Sequence, residues 1–447
     1  MKTIRTRKGL SIPIKGNPEQ EIHPTPPITQ VGVSALDYPG MKPRLLVEEG
    51  DRVRRGDPLL VDKAQPEIRI TAPAGGRVAA IHRGTRRVLE GLAIQIEGDE
   101  AVGFNLTSED DPDPAKIREA LLTSGMWTAI RMRPYEMIAD PEVPPLALFV
   151  TAMDTHPHAP EASALLKGRE EDYLRGLRLL SRMCEVPVYV CRGAGVELPI
   201  PDFPVDVREV EFRGPHPAGN VGTHIHFLAP VCRGRRVWHV GLQDVIGIGE
   251  FFRTGTLPVT RIISLAGPAV REPRLLVTRP GASLGELTDG ELVDGKVRVV
   301  SGSLLTGFTM TEGRRFLGRY HQQVSALREG GKRRFLGWLA PGFSLFSVKG
   351  VVASHFLPRR DLDLTTDIHG GRRAIIPTGV LESVCPLDIL PTPLMRALMV
   401  DDLEEAEKLG VLELAEEDVA LFSFVSASKL DFAGELRRNL DTLLKEG

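Results

Sequence analysis

Residues 211–227, EFRGPHPAGNVGTHIHF, carry a density of Gly, Pro and His found nowhere else in the chain. Gly214, Gly219 and Gly222 open backbone conformations closed to other residues, while Pro215 and Pro217 fix φ and remove donors, so the chain must bend here. The alternation of Thr223, His224, Ile225, His226 and Phe227 then predicts a strand fed into a sheet. Two histidines at i and i+2 share one face of a strand, and His216 and His239 lie close enough in sequence to be weighed with them as metal ligands. No Cys pair or carboxylate with metal-ligand spacing accompanies them, so structural histidines are the better reading.

Before this stretch the pattern is strand, helix, strand. Leu146–Ala152 is a continuous apolar run suited to a buried parallel strand, Tyr173, Leu177, Leu180 and Cys184 recur at helical spacing, and Pro187–Cys191 reads as the next strand. Asp244–Phe252 is expected as a helix on the same sheet. A nucleotide-binding unit of this topology needs G-x-G-x-x-G after the first strand, to bring backbone N–H groups to a phosphate. That turn reads Met153-Asp154-Thr155-His156-Pro157-His158, which implies a Rossmann-like α/β domain with no phosphate loop and no NAD or flavin site. Ahead of it, Asp113 as cap, Pro114 in the first turn and Gly125 as stop predict a helix after the acidic linker Glu109–Asp113. The helix leads to WTAIRMRPY, residues 127–135. Here Trp127, Arg131, Arg133 and Tyr135, types enriched at recognition sites, stand together before and after Pro134. Two readings stay open for them: a surface loop with one core Trp, or a contact for a ligand or a partner protein.

The 447 residues, 42% hydrophobic and 26% charged with net charge −3, suit three or four globular domains and offer nothing that attracts nucleic acid. No apolar run is long enough to span a bilayer and no signal peptide is legible, so the expectation is a chain without a transmembrane segment. Cys184, Cys191, Cys232 and Cys385 form neither a disulfide framework nor a CxxC pair.

Other segments carry resemblances. EGDRVRRGDPLL (49–60) and APAGGRV (72–78) resemble the barrel-sandwich hybrid of biotinyl and lipoyl domains. Asp62-Lys63-Ala64 matches the lipoyl DKA, but the spacing on both sides of Lys63 differs and Pro66 intervenes, so Lys63 is read as unmodified. Residues from Ser264 through Phe308 resemble the soluble-ligand-binding β-grasp (SLBB) module of the flavin-binding subunit of respiratory complex I. Val384–Pro391 and Phe424–Lys429 resemble a two-cluster ferredoxin in which only Cys385 keeps a ligand position. Ile375, Thr378, Leu381, Glu416, Val419, Phe422 and Ser426 occupy the other seven, and an iron–sulfur cluster needs thiolates. The expected organisation is a multidomain α+β and α/β chain: an N-terminal extended segment (1–30), a barrel-sandwich domain (31–100), the Rossmann-like domain (101–262), a β-grasp SLBB-like domain (263–350) and a C-terminal helical domain resembling a degenerate two-cluster ferredoxin (351–447).

The ordered phrases WTAIRMRP, FVTAMDT, GPHPAG, QDVIGIG, SLAGP, SGSLLTG, LGRYH and PLDILP resemble the A subunit family of the sodium-translocating NADH:quinone oxidoreductase (Na+-NQR), and more distantly the C subunit of the Rnf complex. The resemblance implies a peripheral subunit on the cytoplasmic side of the inner membrane. It implies binding to the other subunits of the complex, especially one in the membrane, and association with ubiquinone reduction coupled to sodium export. Trp127, Arg131, Arg133 and Tyr135 then become candidates for the quinone or partner contact. It implies no complete catalytic site in this chain and no covalently bound cofactor, flavin, iron–sulfur cluster or metal. The alternatives are a scaffold that binds partners while the quinone lies elsewhere, and a free-standing flavin oxidoreductase, which would need the missing phosphate loop.

Overall fold

The computed structural model describes residues 2–106, 112–200, 206–331, 337–358 and 360–446; Glu109–Asp111 of the acidic linker lie outside them. Short β-branched runs cut by Gly build two small antiparallel sheets from residues 30–96. One holds Gln30–Ser34, Leu89–Ile96, Gly76–Arg83 and Arg52–Val53, the other Pro43–Leu45, Pro58–Asp62 and Arg69–Thr71. Leu59, Leu60 and Ile94 are buried between them, giving a barrel-sandwich. Gly76 is required here: with φ 158, a Cβ would stand 2.0 Å from the Gln95 carbonyl oxygen. Lys63 is exposed at the start of the loop after Pro58–Asp62.

The second unit is a seven-stranded sheet. Its neighbours run Lys2–Arg5, Val207–Arg213, Val188–Gly193, Leu148–Ala152, Val237–Gly241, Arg131–Arg133 and Met137–Ile138; the first five are parallel and the last two antiparallel. The helix Pro114–Ser124 forms with Asp113 accepting from the Ala115 N–H at 2.8 Å and Gly125 stopping it at φ 81. Helices Glu170–Cys184 and Leu242–Thr254 pack on one face at unusually close range. A Cβ on Gly249 would come 1.8 Å from the Asp172 carbonyl oxygen, and one on Gly176 2.0 Å from that of Val245. Two glycines thus set the helix separation, and Arg253 clamps it with two 2.8 Å hydrogen bonds to Asp172.

The stretch quoted first departs from its reading. Val221–Leu228 is a helix, not a strand. It lies between Val207–Arg213 and Val237–Gly241, both parallel members of one sheet, and a parallel connection must cross over a face, which a helix does while satisfying its own backbone. Topology therefore overrides the local β-propensity of THIHF. His224 and His226 then diverge: His224 is buried, with its Nε2 3.0 Å from the Ala218 carbonyl oxygen, while His226 turns to Glu413 at 2.7 Å. Among the described residues no group of His, Cys, Asp or Glu is arranged to hold a metal.

A six-stranded mixed sheet follows, ordered Phe308–Thr309, Val297–Ser301, Gln323–Arg328, Arg261–Ala266, Arg274–Thr278 and Glu19–Pro24. The first thirty residues are therefore shared: Lys2–Arg5 edges the α/β sheet and Glu19–Pro24 edges this one. The last unit is helical. Leu394, Leu398, Val419, Phe432, Leu436 and Leu440 are buried in one core closed by the helix Phe432–Glu446.

Candidate functional site

Trp127 and the two arginines part company in the fold. Trp127 sits in the short turn Met126–Ala129, fully buried, with Nε1 donating to the Ala139 carbonyl at 2.8 Å and its ring edge-to-face with Trp238 at 5.4 Å. The passage is core structure, so the surface-loop reading does not describe it. Arg131 and Arg133 lie two apart on a strand and therefore share a face. Both reach Glu136, which the chain presents by holding Tyr135 at φ 79 and Glu136 at φ 54, left-handed conformations costly for non-glycine residues.

Arg133 is fully buried and saturated within its own chain. It bonds Glu136, donates to Asp418 at 2.9 Å, to Glu417 at 3.1 Å and to the Glu413 carbonyl at 3.1 Å. The expectation that its guanidinium serves a quinone carbonyl or an acidic partner protein is corrected: its acidic partners include the first turn of the chain's own helix Glu416–Val425. Tyr135 is partly buried against the C-terminal core, and its carbonyl accepts from Arg437 at 2.9 Å. Arg131 is partly exposed and stacks over the Tyr320 ring at 4.2 Å.

Two guanidiniums, Arg131 and Arg133, thus face three carboxylates, Glu136, Glu417 and Asp418, with a charge excess of one. Although burial opposes ionisation, Arg131 and Arg133 hold the Glu136 carboxyl well below the usual carboxylate range. Burial, reinforced by neighbouring Asp418, pushes Glu417 up to about 7. Burial also depresses His239, against the pull of Glu136. Glu417 is therefore the group that keeps a proton near neutrality. A carboxyl raised on folding stabilises the fold fully below its unfolded pKa and loses that contribution as pH rises through 7. Wild-type thermal stability is expected to fall by about 1 kcal/mol between pH 6 and 8 from this group, and Glu417→Gln to flatten that slope; parallel melting curves for the two proteins would contradict it.

Beyond Tyr320 lies a cavity of about 130 Å³, partly open, where the barrel-sandwich, α/β and β-grasp-like units meet. The Tyr320 hydroxyl donates to the Thr128 carbonyl at 2.8 Å, so Met126 and Thr128 of the Trp127 passage form one wall. Ile70, Leu257 and Leu317 supply apolar lining. Polar groups converge from three units: Asp37 accepts from the Arg319 backbone N–H at 2.8 Å, and Asp244 accepts from Arg319 at 2.8 Å and Arg261 at 3.1 Å. Burial raises Asp37 to about 6, with the Arg319 N–H opposing. A recess with an apolar wall on which fixed polar groups converge is a form that small-molecule sites take. Sequence reasoning missed Asp37, Glu136, Asp244 and Arg319. The phrase LGRYH, residues 317–321, was the available signal for the last.

Family models match three consecutive parts of the chain: the NqrA N-terminal barrel-sandwich hybrid domain over residues 4–97, the NqrA second alpha/beta domain over 113–257 and the NQRA C-terminal domain over 262–312. The class is thus a chain of NqrA domains in series. Full-length relatives agree. Proteins named as the A subunit of the Na(+)-translocating NADH-quinone reductase, from Neisseria meningitidis serogroup C, Shewanella amazonensis and Yersinia pestis, are each 44% identical, over 99% of this chain and 100% of theirs. The chain belongs to the NqrA family, the A subunits of the Na(+)-translocating NADH-quinone reductase. It is accordingly one component of a translocase complex and a partner of that complex's other subunits. No helix among the described residues is long and apolar enough to cross a membrane. A solved NAD+-reducing [NiFe]-hydrogenase is alike over 74% of this chain and 61% of that one, at TM-score 0.36 and 12% identity.

Proposed function

We propose that this protein sits peripherally on the cytoplasmic side of the membrane, bound to a membrane subunit of its complex, and shapes the quinone-reduction region with the cavity walled by the Trp127 passage. The observation that carries this reading is that cavity: an enclosed space of about 150 Å³ admits a benzene ring, so one of about 130 Å³ that is open on one side takes in the edge of a quinone ring and leaves its substituents at the mouth. A quinone head needs an apolar slot and donors for its carbonyls, and Arg261 and Arg319 stand at the wall. Arg131 and Tyr135, the partly exposed members of the passage, are the ones left to meet quinone or partner at its rim. Trp127 and Arg133 act from the interior, by holding the wall and the adjoining domain. Electrons arrive from cofactors on other subunits; no flavin, NAD or cluster site is assigned to this chain. The C-terminal unit is read as a two-cluster ferredoxin framework whose ligand positions Leu381, Val419 and Phe422 now pack its apolar core.

Gly247 offers the test. It lines the cavity, and a Cβ there would stand 3.4 Å from Pro258 and 3.6 Å from Met126, ordinary contacts. Gly247→Ala should leave the assembled complex unchanged. Gly247→Leu should fill most of the space and raise the quinone KM about tenfold, roughly 1.4 kcal/mol, with the NADH half-reaction untouched. An unchanged KM in a fully assembled Gly247→Leu complex would favour the scaffold alternative, in which the quinone is held elsewhere.

A further inference from the structure

Six of the ten large apolar side chains that are more than half exposed among the described residues fall within one stretch, 339–376. They are Leu339, Phe343, Val351, Phe356, Ile368 and Ile376. Single exposed apolar residues are ordinary, whereas a concentration of them marks an interaction surface. Val351 and Phe356, at 76% and 77%, are the most exposed of all. Taking on the order of 200 Å² for a fully exposed large apolar side chain, the six present roughly 800 Å². A standard stable interface takes about 800 Å² from each partner.

The stretch is nevertheless tied to the body of the chain. Leu362 is buried and bridges Ile14, Thr365 bridges Arg328, and Phe346 stacks on Phe424 at 5.6 Å. It is laid across the β-grasp-like and C-terminal units as a fixed surface. Its exposed charges are mostly basic: Lys349, Arg360, Arg372 and Arg373 against Asp361, which accepts from Asn17, and Asp363, while Asp367 is half-buried and accepts from the Gly331 N–H. The outward face is therefore apolar with a basic edge.

We infer that residues 339–358 and 360–376 form the surface by which this protein docks on another subunit of its own complex, one presenting an apolar face rimmed by carboxylates. A protein is favoured over a bilayer because the apolar side chains are spread along a pinned, largely irregular segment. No amphipathic helix that could sink one face into lipid is present in it among the described residues. Family membership requires partner subunits, and Arg together with large apolar residues is the composition of interface cores. The inference rests on the reading of the chain as a bound, peripheral component.

The test adds purified chain back to detergent-solubilised complex prepared without it, comparing wild type with Val351→Ser/Phe356→Ser. Both positions are exposed, so unchanged circular dichroism and melting are expected. Recapture of the variant should weaken at least tenfold. Undiminished recapture would overturn the inference. So would flotation of the chain alone with phosphatidylglycerol vesicles that the double substitution abolishes, which would assign the surface to lipid. Self-association of the chain lost in the variant would overturn it equally. Gly247→Leu chain, recaptured normally yet raising the quinone KM, separates this surface from the cavity: failure of one leaves the other standing.

Discussion

Arg133→Ala should destabilise the join between the α/β unit and the C-terminal helices by about 3–5 kcal/mol, the usual cost of stranding buried charges by removing their partner. The side chain has no exposure, and three carboxylates plus a carbonyl converge on it. Without it, the buried Glu136 keeps Arg131 and His239, and the buried Asp418 is left with the Ala415 N–H. The left-handed Glu136 also loses one of the ion pairs that offset its strain. Arg133→Lys should recover only part of the loss, since a single ammonium cannot fork to acceptors on two sides. Because the chain has several units, a local readout is appropriate: hydrogen exchange or limited proteolysis across residues 380–446 should accelerate while the barrel-sandwich stays protected. Uniform protection in the variant would show that the clasp does not hold this domain. Any rise in quinone KM in Arg133→Ala would then be an indirect effect of a loosened domain.

Trp127→Ala should cost a similar 3–5 kcal/mol, through lost burial, a cavity and the unpaired Ala139 carbonyl. The edge-to-face contact with Trp238 contributes about 0.5–1.5 kcal/mol of this. Trp127→Phe keeps most of the apolar area and should cost only about 1–2 kcal/mol. Because Met126 and Thr128 flank this side chain and wall the cavity, Trp127→Ala should also raise the quinone KM, whereas Arg133→Lys should not. Denaturant midpoints together with quinone titrations of the assembled complex check both statements. A Trp127→Ala protein as stable as wild type would show that the ring anchors nothing.

Elements whose own residues dictate their form were legible. The helix Pro114–Ser124 carries its cap, its proline and its terminal glycine within the segment, and Leu148–Ala152 and Leu242–Thr254 follow from local apolar patterning. THIHF was not, because its extended propensity is local, while its helical state is imposed by two parallel strands that must be joined across a face. The site was half legible for the same reason. WTAIRMRPY announced itself by composition, yet no pattern in the sequence tells that Arg133 points inward to Glu417 and Asp418, some 285 residues away.

From the sequence alone followed the family, the order of its barrel-sandwich, α/β and SLBB-like domains, and the side chains from which a site could be built. Those properties depend on spacings of a few residues and on phrases contiguous in the chain. Tertiary packing was needed to settle which of those side chains are buried, which carboxylate among three keeps a proton, and that Asp37, Thr128, Asp244 and Arg319 border one space. Burial and charge balance are sums over neighbours drawn from distant segments, and the sum exists only once the domains are packed.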